Sequence, residues 1–257
     1  MAGAIIRGVV SAGFAPADSI GAFDPASTRL AELASQTGIT AHRSNQELVA
    51  ASDLVILAVK PHQVGSVLEE LRAAIVAKGP LVVSIAAGIR LERFAEWLSP
   101  EVPVVRAMPN LNVRVGQGMT AVVGNNAASD SQIAQVTDLF KAVGQTMVIE
   151  EKLLPAFTAI AGSSPAWVFA LIDALARGAL AAGLPKAQGL EAATQAVLGS
   201  AQLLQTTGEH PCELIDQVAS PGGTTVAGLN TLDERGFSAA VVAAVAATVR
   251  REQELGA

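Results

Sequence analysis

The feature that most constrains the fold of this chain is a change of periodicity near residue 150. Before it, runs rich in Val, Ile and Leu at 19–23, 54–59, 81–86 and 102–107 alternate with helical periods at 25–36, 61–77 and 91–98, and β-like runs follow at 118–123 and 146–149. Continuous apolar runs belong to strands covered on both faces, and strands separated by helices run parallel because each crossover returns the chain in the same direction. An α/β, Rossmann-like, mostly parallel sheet is therefore predicted for a dinucleotide-binding domain over residues 1–149, with ligands at the carboxyl ends of the strands. From 150 to 257 only helical patterns remain, broken at 162–165, 183–185, 208–211 and 221–223, which predicts a second, all-helical domain.

Charge and composition narrow the partners. Hydrophobic residues make up 51% of the 257-residue chain and charged residues 16%, more apolar surface than one copy hides, so a homodimer or higher homo-oligomer is expected. The longest apolar run, 166–184, is interrupted by Asp173 and Arg177 at helical i, i+4 spacing, which reads as a buried or interface helix and no membrane span. A net charge of −6 without a basic cluster argues against nucleic acid and for a small-molecule partner. The single cysteine, Cys212, excludes an intrachain disulfide, and the absence of a signal-peptide pattern predicts a cytoplasmic location. His42, His62 and His210 lack metal-ligand spacing, so no metal is expected. There is no tyrosine for a Tyr/Lys reductase pair and no G-x-S-x-G elbow. His210 and Cys212 flank the proline that opens a helix and read as structural.

The most informative local string is Ser220-Pro221-Gly222-Gly223-Thr224-Thr225, placed just before the apolar period Val226, Leu229, Leu232. A proline, two conformationally free glycines and two hydroxyls there start a helix whose first N–H groups have no partner within the helix. Such a terminus attracts a carboxylate or phosphate through its donors and its dipole. On these residues alone, a plain capped turn is the commoner reading, since capping turns far outnumber anion sites.

The surrounding 24 residues, PCELIDQVASPGGTTVAGLNTLDE from Pro211 to Glu234, resemble the signature of pyrroline-5-carboxylate reductases. Pro211, Leu214, Val218, Ala219, Ser220, Gly222, Gly223, Thr225, Gly228, Leu229, Leu232 and Asp233 all fall where that pattern asks for their type. The resemblance extends over nearly the whole chain. It implies reduction of 1-pyrroline-5-carboxylate to L-proline by hydride from NADPH or NADH, the last step of proline biosynthesis. It also implies a helical substrate domain, 150–257, that dimerises through interlocking helices.

The resemblance also assigns roles. Thr225 would hydrogen-bond the ring nitrogen and Ser220 support the turn, with Gly222, Gly223, Thr224 and Thr225 holding the substrate carboxylate. Ala58, Val59, Lys60 and Pro61 would contact the cofactor's ribose and phosphates, although proline after a strand is also a simple stop. Asn45 would lie near the adenine, or else cap a helix beginning at Gln46. Ala86, Ala87 and Gly88 are small enough to let a nicotinamide ribose approach the backbone. Residues 105–110, VRAMPN, are a further landmark, followed here by Leu111-Asn112 where many members carry Thr-Pro. Residues 161–166, AGSSPA, match the entry into a long central helix that Ser163 or Ser164 could cap. Asp24, after the first run, sits where a Rossmann domain places an acid on the adenosine ribose hydroxyls, which favours NADH. It could equally cap the helix entered at Pro25, and Arg29 lies nearby in sequence.

Members of this family open with a strand and a GxGxM-like turn, and the match here begins at the methionine within that turn. The expectation is a sheet without that first strand and glycine-rich turn, and weakened dinucleotide binding. Two other readings stand beside reductase activity. One is a truncated, non-catalytic dimerising relative. The other is a β-hydroxyacid dehydrogenase-like oxidoreductase, which would need a catalytic lysine in the helical domain, where Lys186 follows a loop proline.

Overall fold

The computed structural model describes residues Met1–Leu255. In chain order the elements of its first part are α1 (Ala2–Ser11), β1 (Gly21–Ala22), α2 (Ser27–Thr37), β2 (Thr40–Ala41), α3 (Asn45–Ala50), β3 (Leu54–Leu57), α4 (Pro61–Lys78), β4 (Leu81–Ser84), α5 (Leu91–Trp97), β5 (Val104–Pro109), β6 (Gly118–Gly124), α6 (Asp130–Lys141) and β7 (Gly144–Val148). Then come α7 (Leu154–Phe157), α8 (Ser164–Ala181), α9 (Lys186–Thr207), α10 (Pro211–Val218), α11 (Thr224–Glu234) and α12 (Phe237–Leu255). Short 3₁₀ turns include Leu111–Val115 and Glu151–Leu153, and Thr158–Ser163 is a π-helix.

Strands β3 to β7 form one sheet in sequence order, parallel except where β6 runs antiparallel to β5. Strands β1 and β2 form a separate parallel pair. Burial on both faces of the main sheet follows the period-two rule. Val82 and Val104 point into a cluster with Val64, Leu68 and Ile75 of α4 and Phe94 of α5. Leu81, Val83 and Val105 point the other way, into Ile5 and Val9 of α1 and Val136 and Phe140 of α6. Each such side chain, fully buried, contributes about 1.5–3 kcal/mol, which is why these strands read as unbroken apolar runs.

The described residues form two compact units, Met1–Gly162 joined by those from Thr248 onward, and Ser163–Ala247. The helical pattern therefore begins before the second unit does, because Leu154 of α7 is buried against Ala121 and Val123 of β6. Within the second unit α8 and α9 pack closely, with Gly189 so placed that a Cβ would lie 2.9 Å from the Ala179 Cβ and 3.3 Å from the Ala176 carbonyl.

The break expected at 162–165 is not a break. Helical structure runs continuously over Glu151–Ala181, and an 18-residue stretch of it reaches a mean hydropathy of 1.5, so that by length and composition alone it could cross a membrane. Pro165 lacks an N–H, and the chain accommodates that loss by widening to a π-turn immediately before α8. Ser163 accordingly makes no capping bond at the start of α8. On α8 the Arg177 Nε lies 3.1 Å from Asp173 Oδ2, the i, i+4 pair its sequence spacing suggests.

Candidate active site

Parallel strands deliver the candidate cofactor residues to their carboxyl ends. Leu57 of β3 is in register with Ser84 of β4, so the segments beginning at Ala58 and Ile85 leave the sheet side by side, while β5, whose Arg106 is in register with Ser84, runs on to Pro109. Ala58, Lys60 and Pro61 are exposed, and Val59 is half-buried against the core. Pro61 is the first residue of α4, and the Lys60 N–H donates to Gln63 Oε1 at 3.2 Å. In the next segment Ala86 is buried while Ala87 and Gly88 are half-buried. A cleft of about 360 Å³ in this unit is lined by Gly88, Arg90, Arg106, Glu151, Lys152 and Leu154, among others.

Asp24 and Asn45 follow β1 and β2. Asp24 Oδ1 accepts from the Ala26 N–H at 2.8 Å, an Asx-turn into α2, and its Oδ2 lies 3.8 Å from Arg29 Nη1. Asn45 does not cap α3. That place belongs to Ser44, whose Oγ accepts from the Glu47 N–H at 3.1 Å, which leaves Asn45 half-buried within the first helical turn.

In the second unit the turn before α11 has the form its residues dictate. The Gly223 N–H donates to the Ser220 carbonyl at 2.9 Å, with Pro221 second and Gly222 third at φ +68°. That is the residue order of a type II turn, which needs a positive φ at the third position. Gly223 is closely packed: a Cβ would fall 3.0 Å from the Ser220 carbonyl and would displace the Ser220 hydroxyl, 2.3 Å away. No side chain caps α11, and among the described residues no hydrogen bond is made by the N–H groups of Thr224, Thr225 and Val226 or by the two threonine hydroxyls. Thr225 is half-buried, while Ser220, Gly222 and Thr224 are exposed. The turn thus offers open donors beside a left-handed glycine. His210, by contrast, is spent on structure: its Nδ1 accepts from the Cys212 N–H at 3.2 Å at the start of α10.

Comparison with known proteins gives this geometry its setting. Residues 151–255 match the family model described as pyrroline-5-carboxylate reductase dimerisation, and residues 1–88 that described as NADP oxidoreductase coenzyme F420-dependent. A pyrroline-5-carboxylate reductase of Escherichia coli (strain K12) is 39% identical over 255 residues, spanning 99% of this chain and 94% of that protein. The chain belongs to the pyrroline-5-carboxylate reductase family. The structure of a member from Coxiella burnetii matches with a TM-score of 0.95 at 30% identity, covering 100% of this chain and 95% of that one. A Plasmodium falciparum pyrroline carboxylate reductase with NADP bound matches at 0.88 with 27% identity, covering 99% and 94%. The first unit therefore contains an NAD(P)-binding Rossmann-like domain and the helical part a dimerisation domain.

The partners of two buried polar groups within the VRAMPN landmark, Arg106 and Asn110, escape a reading of the sequence. Arg106, inside β5, pairs through Nη1 with Glu151 Oε1 at 2.6 Å, its side chain only 8% exposed. Asn110, just past β5, accepts at Oδ1 from the Asn112 and Met119 N–H groups, both at 3.2 Å, and donates from Nδ2 to the Ala161 carbonyl in the π-helix at 2.9 Å. An arginine within a run of valines signals that a partner exists, because a buried charge must be paired. It does not say which of the acids is the partner.

Proposed function

We propose that this chain reduces 1-pyrroline-5-carboxylate to L-proline at the expense of NADH or NADPH, with the turn Ser220–Thr225 as its substrate-binding element. The observation that carries this reading is that turn, with uncapped donors and unspent hydroxyls in a chain similar over its full length to reductases of that name. The N–H groups of Thr224, Thr225 and Val226 hold the substrate carboxylate at the positive end of the α11 dipole. Gly222 supplies the left-handed corner, and Gly223 the close approach that aims those donors. Ser220 closes the turn, and Thr225 Oγ1 hydrogen-bonds the ring nitrogen.

The residues of the first unit fit a dinucleotide. Ala58 to Pro61 and Ala86 to Gly88 leave adjacent strands in register, and the small residues Ala58, Ala86, Ala87 and Gly88 suit the close approach that a ribose and phosphates need. When bound, the reduced nicotinamide supplies a hydride to the imine carbon. The electron pair of the C=N bond then goes to the ring nitrogen, already protonated, and an amine results. A protonated imine needs orientation and a carboxylate anchor more than a strong acid. Asn45 and Asp24 are assigned to the adenosine side, and the Asp24 carboxylate favours NADH through the ribose hydroxyls.

The β-hydroxyacid dehydrogenase reading finds no support at Lys186, an exposed side chain whose Nζ lies 3.7 Å from Asp173. Steady-state kinetics of Thr225→Ala test the proposal. Loss of one hydrogen bond to a charged group costs about 1.5–3 kcal/mol, roughly ten- to a hundredfold in kcat/KM for the imine. Thr225 makes no capping bond, so the melting temperature should stay near that of the parent. Undiminished turnover would remove the substrate role from this turn.

A further inference from the structure

The loop that follows β4 is fastened at both ends, and the far fastening comes from a distant part of the chain. At its start the Ile85 N–H donates to the Leu57 carbonyl at 3.1 Å, and the Ala86 N–H donates to Oγ of the buried Ser84 at 3.3 Å. At its end the Leu91 N–H, an open donor in the first turn of α5, donates to Glu151 Oε1 at 2.7 Å. The same oxygen accepts from Arg106 Nη1. Arg106 lies in β5 directly opposite Ser84 in the ladder, so both fastenings trace back to one rung of the sheet. The cleft beside Gly88 and Arg90 is walled by this same pair, Arg106 and Glu151.

We infer that Glu151 and Arg106 are positioning residues, holding the Ala86–Arg90 loop in the place from which it sets the nicotinamide end of the cofactor; this rests on the assignment of Ala86 to Gly88 made above. Arg106 cannot leave its carboxylate without stranding a buried charge, and Glu151 is thereby fixed where it receives the Leu91 N–H. A charge pair between a strand arginine and a carboxylate in the turn after β7 thus determines where the loop begins its helix. The adenosine side of the cofactor is held by other residues. Loosening the loop should therefore disturb the geometry of hydride transfer more than cofactor affinity, because a small misplacement of reacting groups costs a large factor in rate.

The test compares Glu151→Ala with Glu151→Gln, which keeps an acceptor oxygen for both donors. In Glu151→Ala, kcat is expected to fall about tenfold or more while the dissociation constant for the reduced cofactor changes less than about threefold. Glu151→Gln should recover most of the lost kcat. Hydrogen exchange at the Leu91 amide and across residues 85–90 should quicken in Glu151→Ala, a readout that does not depend on turnover. Should the alanine variant not fold, Glu151→Asp, which keeps the charge but shortens the reach to Leu91, is read in the same way. Unchanged kcat, a loss confined to cofactor affinity, or unchanged exchange at Leu91 would each overturn the inference. A parent enzyme without imine turnover would instead count against the proposed activity, and the exchange measurement would still decide the role of the pair.

Discussion

Asp24 carries two roles that one substitution separates. Its Oδ1 is spent on the Ala26 N–H, but Oδ2 has only the looser contact with Arg29, whose side chain is 77% exposed. A free carboxylate oxygen can accept from ribose hydroxyls and repels a 2′-phosphate, whereas Arg29, released from it, would attract one. Asp24→Ser keeps an acceptor for the Ala26 N–H and removes the charge. The expected outcome is a fall of about tenfold in the ratio of kcat/KM for NADH over NADPH, with stability nearly unchanged. A parent that prefers NADPH, or a ratio that does not move, would reduce Asp24 to a turn residue. At this scale the sequence is legible where function is local. The turn at Ser220–Thr225 is contiguous, and its proline and glycines declare the backbone they need. The Arg106–Glu151 pair is not legible, since its members stand 45 residues apart and only folding makes them neighbours.

The strands of the main sheet were readable because burial on both faces leaves unbroken apolar runs, and β3, β4, β5 and β6 fall within a few residues of where those runs lie. Strand β2 carries no such signal: Thr40 and Ala41 are exposed, and pairing with β1 alone defines them. Helix α6 has its own signature, a Ser129–Gln132 capping box ahead of Ile133, Val136 and Phe140, which a reading led by strands passes over. The π-turn before Pro165 shows a proline absorbed within a helical run where punctuation rules place a stop. Between α8 and α9 the close approach at Gly189 leaves no room for a larger side chain. Gly189→Leu would press a side chain into Ala179 and the Ala176 carbonyl, and overpacking of this kind costs about 1–3 kcal/mol. Thermal or urea melting should show that loss. A variant as stable as the parent would mean that α8 and α9 part without cost.

The helical part of the molecule leaves a great deal of apolar surface uncovered in a single copy. Phe169 is 55% exposed on α8, Leu198 57% on α9 and Val242 69% on α12. Side chains of this size do not remain in water over so wide an area without a partner, and these helices lie within the residues that match a dimerisation domain. Light scattering at micromolar concentration should find a dimer or larger assembly and no stable monomer. A soluble monomer would require another explanation for these faces. The reaction itself is tested most directly by following the hydride. With reduced cofactor carrying deuterium at the transferable position of the nicotinamide, the proline formed from 1-pyrroline-5-carboxylate should contain one deuterium, located at the former imine carbon. Proline without that label, or no proline at all, would contradict hydride transfer to the imine by this chain.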